Sequence, residues 1–590
     1  MFLRKRALER IAKERVLYER HPHGDIAACL LYPNIYRLGM ANLGFQAVYQ
    51  IFDRDPHVAI DRAFLPEADE RELMRARGLP LRSFEQDRPL SDFEILAFSI
   101  SFETDYLNVL QILELAGIPL RRSERAGRHY PLIIAGGSAV FLNPEPIADF
   151  IDLFLIGEGE EMLPEFLARY HEARARAERS VDSMLSDVAK VNGAYRPDLF
   201  APAYDDTGQL SGVDYIGDGK PRVERRLIRD LDRFTTSSRI LTDESVFGDM
   251  YLVEASRGCQ WGCRFCAAGF MYRPIRYRSP ENLTAEAERG LSERKVIGLV
   301  GAEMASVPGV ASIAEEVADR GGRLSPSSLK ADCISPELAR ALARNGNNSV
   351  TIAPEAGSER MRKVINKNLN EDQILRAAHT MIGEGVENLK FYFMLGLPEE
   401  QNEDVIGIAD LTAKILEQAR AAKQRIGRVT VSLNPFVPKP WTPFQWDPME
   451  DGREVKRKIA TLRRHLGRLG RIELDAESPR EAYFQTLISR GDRRVGNILQ
   501  RLNSERRYEP GPIWQGLAAI CREIESGTDN GMPNPDSFVH RAYAHDELLP
   551  WDFIDHHIEK WFLLSERKKA HYLHQTPPCD VTVCRVCGAC

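Results

Sequence analysis

The sequence has no run of about 18 uninterrupted apolar residues, so no stretch of it reads as a membrane-spanning helix. Its first 25 residues, MFLRKRALERIAKERVLYERHPHGD, lack the apolar core that a secretory signal needs, and the expected location is the cytoplasm. There is no internal repeat, which sets aside a repeat array. Excess charge of one sign is also scarce. A net charge of -7 over 590 residues says little about partners unless basic residues cluster locally. With 43% hydrophobic and 28% charged residues, the composition lacks the signature of long disordered tracts. The length exceeds what one hydrophobic core supports, so about three folded units are expected.

Cysteine is infrequent but unevenly placed. Of ten, three fall at 259–266 and four at 579–590, which is the spacing of ligands and not of disulfides in a cytoplasmic protein. Cys29, Cys333 and Cys521 stand alone and read as ordinary buried thiols.

Two alternating series organise the chain. In the first, the short apolar runs IAACLLYP (26–33), ILAFSIS (95–101), LIIAGG (132–137) and DLFLIG (152–157) alternate with segments of helical spacing. Such alternation predicts a parallel, doubly wound sheet, with ligands at the strands' carboxyl ends near Asn34, Ser99, Ser101, Gly136 and Gly137. Residues 1–170 are assigned to this unit and 171–247 to a connector. The second series runs from MYLVEASRGC (250–259) to RVTVSLNPFVPKP and contains six strand–helix units. It predicts a partial barrel of parallel strands over 248–449, with chemistry at the strands' C-terminal ends. From 450 to 590 helical spacing dominates.

Cys259, Cys263 and Cys266 follow a strand directly, in a loop where Gly258 and Gly262 let the backbone wrap a bulky group. Three thiolates hold three irons of a [4Fe-4S] cube and leave the fourth open, whereas an electron-transfer cluster normally takes four. A zinc site lacking one ligand, or three buried thiols, is the plainer alternative, but zinc wants a fourth ligand nearby. The spacing, with an aromatic before the last cysteine, resembles the signature of the radical S-adenosylmethionine (SAM) superfamily. That resemblance implies that the open iron binds SAM, whose reductive cleavage yields a 5'-deoxyadenosyl radical, and that a reductant such as flavodoxin or ferredoxin is a partner. Gly301-Ala302-Glu303 resembles the superfamily's Gly-Gly-Glu segment for the SAM amino group. Glu355, Gly357, Ser358 and Arg360 stand where ribose and carboxylate recognition would be needed, and the loop of Gly396 resembles one that packs on adenine. No catalytic acid or base can be named.

Longer segments, among them LLYPNIYRLGMANLGFQAVYQIF, APEAGSERMRKVINK and the terminal cysteine run, resemble an uncharacterised bacterial radical SAM family with an N-terminal cobalamin-binding-like domain. The fold this implies is α/β: a Rossmann-like domain of cobalamin-binding type, a partial (β/α)6 TIM-type radical SAM barrel, and a mainly helical C-terminal region with a Cys-rich tail. Cobalamin enzymes of similar architecture are mostly methyltransferases. The Asp-x-His-x-x-Gly pattern that supplies a cobalt ligand elsewhere is missing, and Asp55-Pro56-His57 lacks the glycine, so cobalamin and a degenerate scaffold domain both stay open.

Cys579, Cys584, Cys587 and Cys590 form C-x4-C-x2-C-x2-C and are expected to converge on one centre near the barrel mouth, either a second [4Fe-4S] cluster or a four-cysteine zinc site. The stretch 453–472 carries eight Lys or Arg residues, and SRGDRR (489–494) and SERR (504–507) follow it. These read either as a solvated face or as a surface for RNA or another polyanion, with Trp441, Phe444 and Trp446 free to stack on bases or to pack a Pro-rich connection. The function expected is a radical SAM enzyme on an unidentified substrate, with cobalamin-dependent methyl transfer as its most specific form. A sulfur-inserting, methylthiotransferase-like enzyme acting on RNA and a non-catalytic iron–sulfur electron-transfer protein are the alternatives.

Overall fold

The computed structural model describes residues 2–590 apart from 22, 127–129, 177–180, 218–220, 345, 347, 424–425, 471 and 529–530. In the N-terminal part, strands β1 (Ile26–Tyr32), β2 (Val58–Phe64), β3 (Ile95–Ser99), β4 (Leu132–Gly136) and β5 (Leu153–Leu155) run parallel, and β6 (Ala194–Tyr195) closes the sheet antiparallel. The order is β2-β1-β3-β4-β5-β6. Strand order reverses between β1 and β3, which opens a crevice at their carboxyl ends. Apart from Asp61 and Arg62 in β2 and Ser99 in β3 the strands are apolar, because both faces are covered. Helices α1 (Leu43–Arg54, capped by the Asn42 side chain) and α3 (Gly159–Ala175) pack on one face, and α2 (Tyr106–Leu115) lies on the other. Strand β6 comes from the segment expected to be only a connector, so the sheet extends past residue 170.

The second domain strings seven parallel strands together. β7 (Met250–Glu254), β8 (Val296–Val300) and β9 (Arg323–Pro326) form one run, and β10 (Ser349–Glu355), β11 (Asn388–Leu395), β12 (Val429–Pro435) and β13 (Ile472–Ala476) form another. A parallel bridge between Leu329 and Ile352 links the two runs. Along β11, Leu389, Phe391, Phe393 and Leu395 are buried, while the residues between them are only half-buried, the two-residue period of a strand with unequal faces.

β13 adds a seventh strand to the six expected and places it inside the region from 450 onward, which is otherwise mainly helical as expected. The basic stretch is helix α5 (Gly452–Leu466), which packs on α4 (Asn402–Ala421) and delivers β13. Its apolar face, Val455, Ile459, Leu462 and Leu466, lies in the core of the second domain as its spacing predicts. The later helices α6 (Pro479–Arg490), α7 (Val495–Ser504) and α8 (Pro510–Glu525) turn back and share one core with α2 and the N-terminal sheet. No helix among the described residues is long and apolar enough to cross a membrane.

Asp105, at the start of α2, is buried beside the sheet's carboxyl end. Its Oδ1 accepts from Asn34 Nδ2 at 2.8 Å and Asn108 Nδ2 at 3.2 Å, while Oδ2 has no partner. Burial pushes its pKa up to about 7. The unfolded residue gives up its proton near pH 4, so between about pH 4 and 7 the folded state binds the extra proton and stability falls as pH rises through that window. Asp105→Asn should therefore gain about 1–3 kcal/mol over wild type at about pH 8, and little near pH 4, in urea denaturation. Equal gains at both pH values would contradict this account.

Candidate cluster and cofactor site

The loop after β7 is shaped by Gly258, whose φ is +87 and whose missing Cβ would stand 2.5 Å from the Tyr272 carbonyl oxygen. The chain turns back there and presents Cys259, Cys263 and Cys266 around one space. Each thiol feels the others: Cys259 is pushed up to about 12 by burial and then by Cys263, and Cys263 to about 11 by burial, with Lys367 pulling against it. Burial raises Cys266 as well. Around the thiols the backbone is held by side chains. Asn366 Nδ2 donates to the Gly262 carbonyl at 3.0 Å, and Arg264 donates to the carbonyls of Lys363, Val364 and His574 while pairing with Glu566 at 3.2 Å. Three soft thiol donors on a rigid, largely buried loop, with no fourth cysteine on it, fit an iron–sulfur cluster that keeps one iron open.

The expected SAM-binding residues divide into two groups. Gly301, Ala302 and Glu303 follow β8 beside this loop, and Glu303 lies within electrostatic reach of Cys259. Its carboxylate accepts from Ala305 N at 2.7 Å and Ser306 N at 3.0 Å, which fixes the loop. Glu355 ends β10 with a positive φ of 67 and accepts from Lys367 Nζ at 3.1 Å beside Cys263 and Cys266.

The other group does structural work. A Cβ on Gly357 would stand 2.2 Å from Ile408 N, so this glycine lets its loop lie against α4. Ser358 caps the helix Glu359–Val364 and donates to Asp404, and Arg360 pairs with Asp404 and donates to the Glu399 carbonyl at 2.7 Å. Gly396 adopts φ +79 against Glu450, and its N–H donates to Glu400.

Residues that the sequence reading did not single out complete the surroundings. Burial works against the charge of Lys367, but Glu355 and the thiols more than offset it and hold its pKa above the ordinary lysine value. Lys330 Nζ lies 3.7 Å from the centre of the Trp261 ring and pairs with Asp332. Cys333 is not remote: it accepts from Ser306 Oγ at 3.3 Å, on the loop of Glu303. Lys367 falls inside the quoted segment APEAGSERMRKVINK, but a lysine there carries no signal of burial.

Between the sheet's carboxyl ends and the cluster loop lies a cavity of about 490 Å³. Ser99, Ser101, Gly136 and Gly137 line it from the N-terminal domain, and Gly258, Tyr272, Gly301 and Ala302 from the second. Asn34, expected there, bonds Asp105 instead. The buried hydroxyls of Thr236 and Ser256 face this space without a partner. Small residues at the strand ends and unsatisfied donors leave the space suited to a large polar cofactor.

Of the basic residues singled out, Arg453, Lys456, Arg457, Arg463, Arg464 and Arg468 are exposed on or just after α5, whereas others are internal. Arg490 is buried and donates to the carbonyls of Phe538, Val539 and Arg541, Arg493 pairs with Glu145, and Lys458 is held between Glu400 and Glu450. Trp441, Phe444 and Trp446 are buried and pack the Pro-rich connection.

The segment that carries the C-terminal cysteines meets the loop of Cys259 at its start. Cys579 N donates to the Gln260 carbonyl at 2.8 Å, and Thr576 N to Asn366 Oδ1 at 2.8 Å. Cys587 is buried, and its carbonyl accepts from Glu559 N at 3.0 Å ahead of helix α9 (Lys560–His571).

Strand-end thiols beside a Gly-Ala-Glu loop define a class. Residues 253–412 match the radical SAM superfamily, and 44–197 match the N-terminal region of radical SAM proteins. The chain is a radical SAM protein. It is 27% identical over 474 residues to an uncharacterised protein of Methanocaldococcus jannaschii, covering 80% of this chain and 90% of that one. Among solved structures, the cobalamin-dependent S-adenosylmethionine radical enzyme OxsB, with aqua-cobalamin and S-adenosylmethionine bound, aligns over 92% of this chain and 79% of its own at 13% identity and a TM-score of 0.45. HydG, a maturase of the [FeFe]-hydrogenase, aligns over 48% of this chain and 85% of its own at 13% identity and a TM-score of 0.27.

Removing one member of the Glu355–Lys367 pair leaves the other charge nearly buried and alone. Glu355→Gln should cost roughly 1–3 kcal/mol. Adding Lys367→Met should recover much of that, and a double-mutant cycle by chemical denaturation measures the coupling.

Proposed function

We propose that this protein cleaves SAM reductively at Cys259, Cys263 and Cys266 and uses the radical to activate a substrate in the interdomain cavity, with a corrinoid in the same cavity as methyl donor. One observation carries the proposal: a single cavity touches both the strand ends of the Rossmann-like sheet and Gly258 and Ala268, which flank the loop of the three cysteines. When bound, the cluster supplies the electron that splits the SAM sulfonium, and a corrinoid supplies the methyl group.

The chain's own groups prepare that chemistry. Glu303 braces the loop after β8, Lys367 and Glu355 set the charge beside the thiols, and Gly136 and Gly137 keep the sheet end low enough for a planar ligand. No reading as an electron-transfer protein alone accounts for the cavity or for the loop of Gly301.

Replacing Cys259, Cys263 and Cys266 together with Ala should reduce 5'-deoxyadenosine formation to background under anaerobic, reducing conditions. Continued formation by that variant would remove the radical assignment. After anaerobic reconstitution, wild type should take up about one corrinoid per chain, read from its visible spectrum. Ser99→Trp, which fills the cavity, should abolish uptake while iron content is kept. A wild-type protein that takes up no corrinoid would leave the N-terminal domain as a scaffold.

A further inference from the structure

We propose that Cys579, Cys584, Cys587 and Cys590 hold a second [4Fe-4S] cluster, and that it is the port through which electrons reach the loop of Cys259. The inference rests on the radical SAM reading and adds a site and a partner class to it.

The segment is folded around its own thiols. Cys579 lies within electrostatic reach of Cys584, Cys587 and Cys590, and Cys590 within reach of Cys584 and Cys587. Cys584 N donates to the Asp580 carbonyl at 2.8 Å, and Gly588 turns at φ +93 against the His557 carbonyl. Gathered thiols could serve zinc or a cluster, and their spacing separates the two. Around one zinc, with Zn–S near 2.3 Å, tetrahedral sulfurs stand about 3.8 Å apart. Among the described residues, only Asp25, His57 and His171 bring three potential ligand atoms within 4.8 Å of one another. Both cysteine sets are therefore more open than a single metal needs, and the C-terminal set shares this openness with the loop of Cys259, Cys263 and Cys266.

Position then assigns the role. The hydrogen bond from Cys579 N to the Gln260 carbonyl joins a ligand of one set to the neighbour of Cys259 in the other. Chains bonded in this way run ~5 Å apart, which places the two centres on the order of 10 Å from each other. Arg273 lies within electrostatic reach of Cys579 and Cys590, and its Nε donates to the Gly269 carbonyl at 2.7 Å, just past Cys266. The segment contributes nothing to the cavity wall, whereas Cys590 is exposed, as are Val583 and Val586 at 75% and 56%. A centre that adjoins the first cluster, reaches the surface and stays out of the substrate cavity is placed to carry electrons. A low-potential protein carrier of the flavodoxin or ferredoxin class gives up one electron at this surface. The second cluster is reduced by that electron and reoxidised as it passes to the first.

The test uses the full chain after anaerobic reconstitution. Wild type should hold about eight irons and eight sulfides, and Cys584→Ala/Cys587→Ala about four of each. Electron paramagnetic resonance of the reduced proteins should show two cluster signals in wild type and one in the variant. The ratio of the 5'-deoxyadenosine rate with the protein carrier to the rate with dithionite should fall at least tenfold in the variant. Because Cys587 is buried, Cys590→Ser at the exposed position is the companion variant, and it should alter only the second signal. Zinc in place of the added iron, four irons in wild type, or an unchanged ratio would overturn the proposal. Absence of 5'-deoxyadenosine from dithionite-reduced wild type would instead overturn the radical reading, and the iron count and the resonance signals would still decide the second cluster.

Discussion

The geometry of this site depends on one reversal of the backbone. At the end of β7, Gly258 turns the chain so closely against Tyr272 that no side chain fits, and Cys263 and Cys266 then lie within electrostatic reach of Cys259. Asn366, Arg264 and the loops of Glu303 and Glu355 then bear on that short segment. Thiols left to themselves in an apolar interior stay protonated and inert. Here Lys367 and Lys330 lie within electrostatic reach of Cys263 and favour its thiolate, against burial and the Glu355 carboxylate.

What the sequence disclosed follows from chemistry that tolerates few arrangements. Three cysteines at fixed spacing after a strand have few uses, and Ser99, Ser101, Gly136 and Gly137 line the cavity because the ends of parallel strands are where such folds bind ligands. Polar residues were less legible. Ser358 and Arg360 look the same in sequence whether they face a ribose or secure a helix end, and only packing shows that Asp404 takes both. The run SRGDRR suggested a surface because charge usually means solvent, yet Arg490 is buried among backbone carbonyls. Strand β13 was missed because IELDA is short and carries two carboxylates.

The loop of Cys259 and the C-terminal segment are interdependent through small contacts. The Asn366 amide reaches the Gly262 carbonyl on one side and accepts from Thr576 N on the other, so a single side chain spans the cluster loop and the approach to the C-terminal cysteines. Arg264 does the same between Val364 and His574. Order in one segment supports order in the other.

Helices α6 to α8 cover the same face of the N-terminal sheet as α2, although about 300 residues of chain separate them from that sheet. On the ribosome this sets a long wait. At roughly 5–20 residues per second, the apolar face built around Leu107 and Leu110 stands uncovered for tens of seconds before Leu487, Ile498 and Leu499 emerge to close it. During that interval the nascent chain exposes a hydrophobic surface that only its later helices cover.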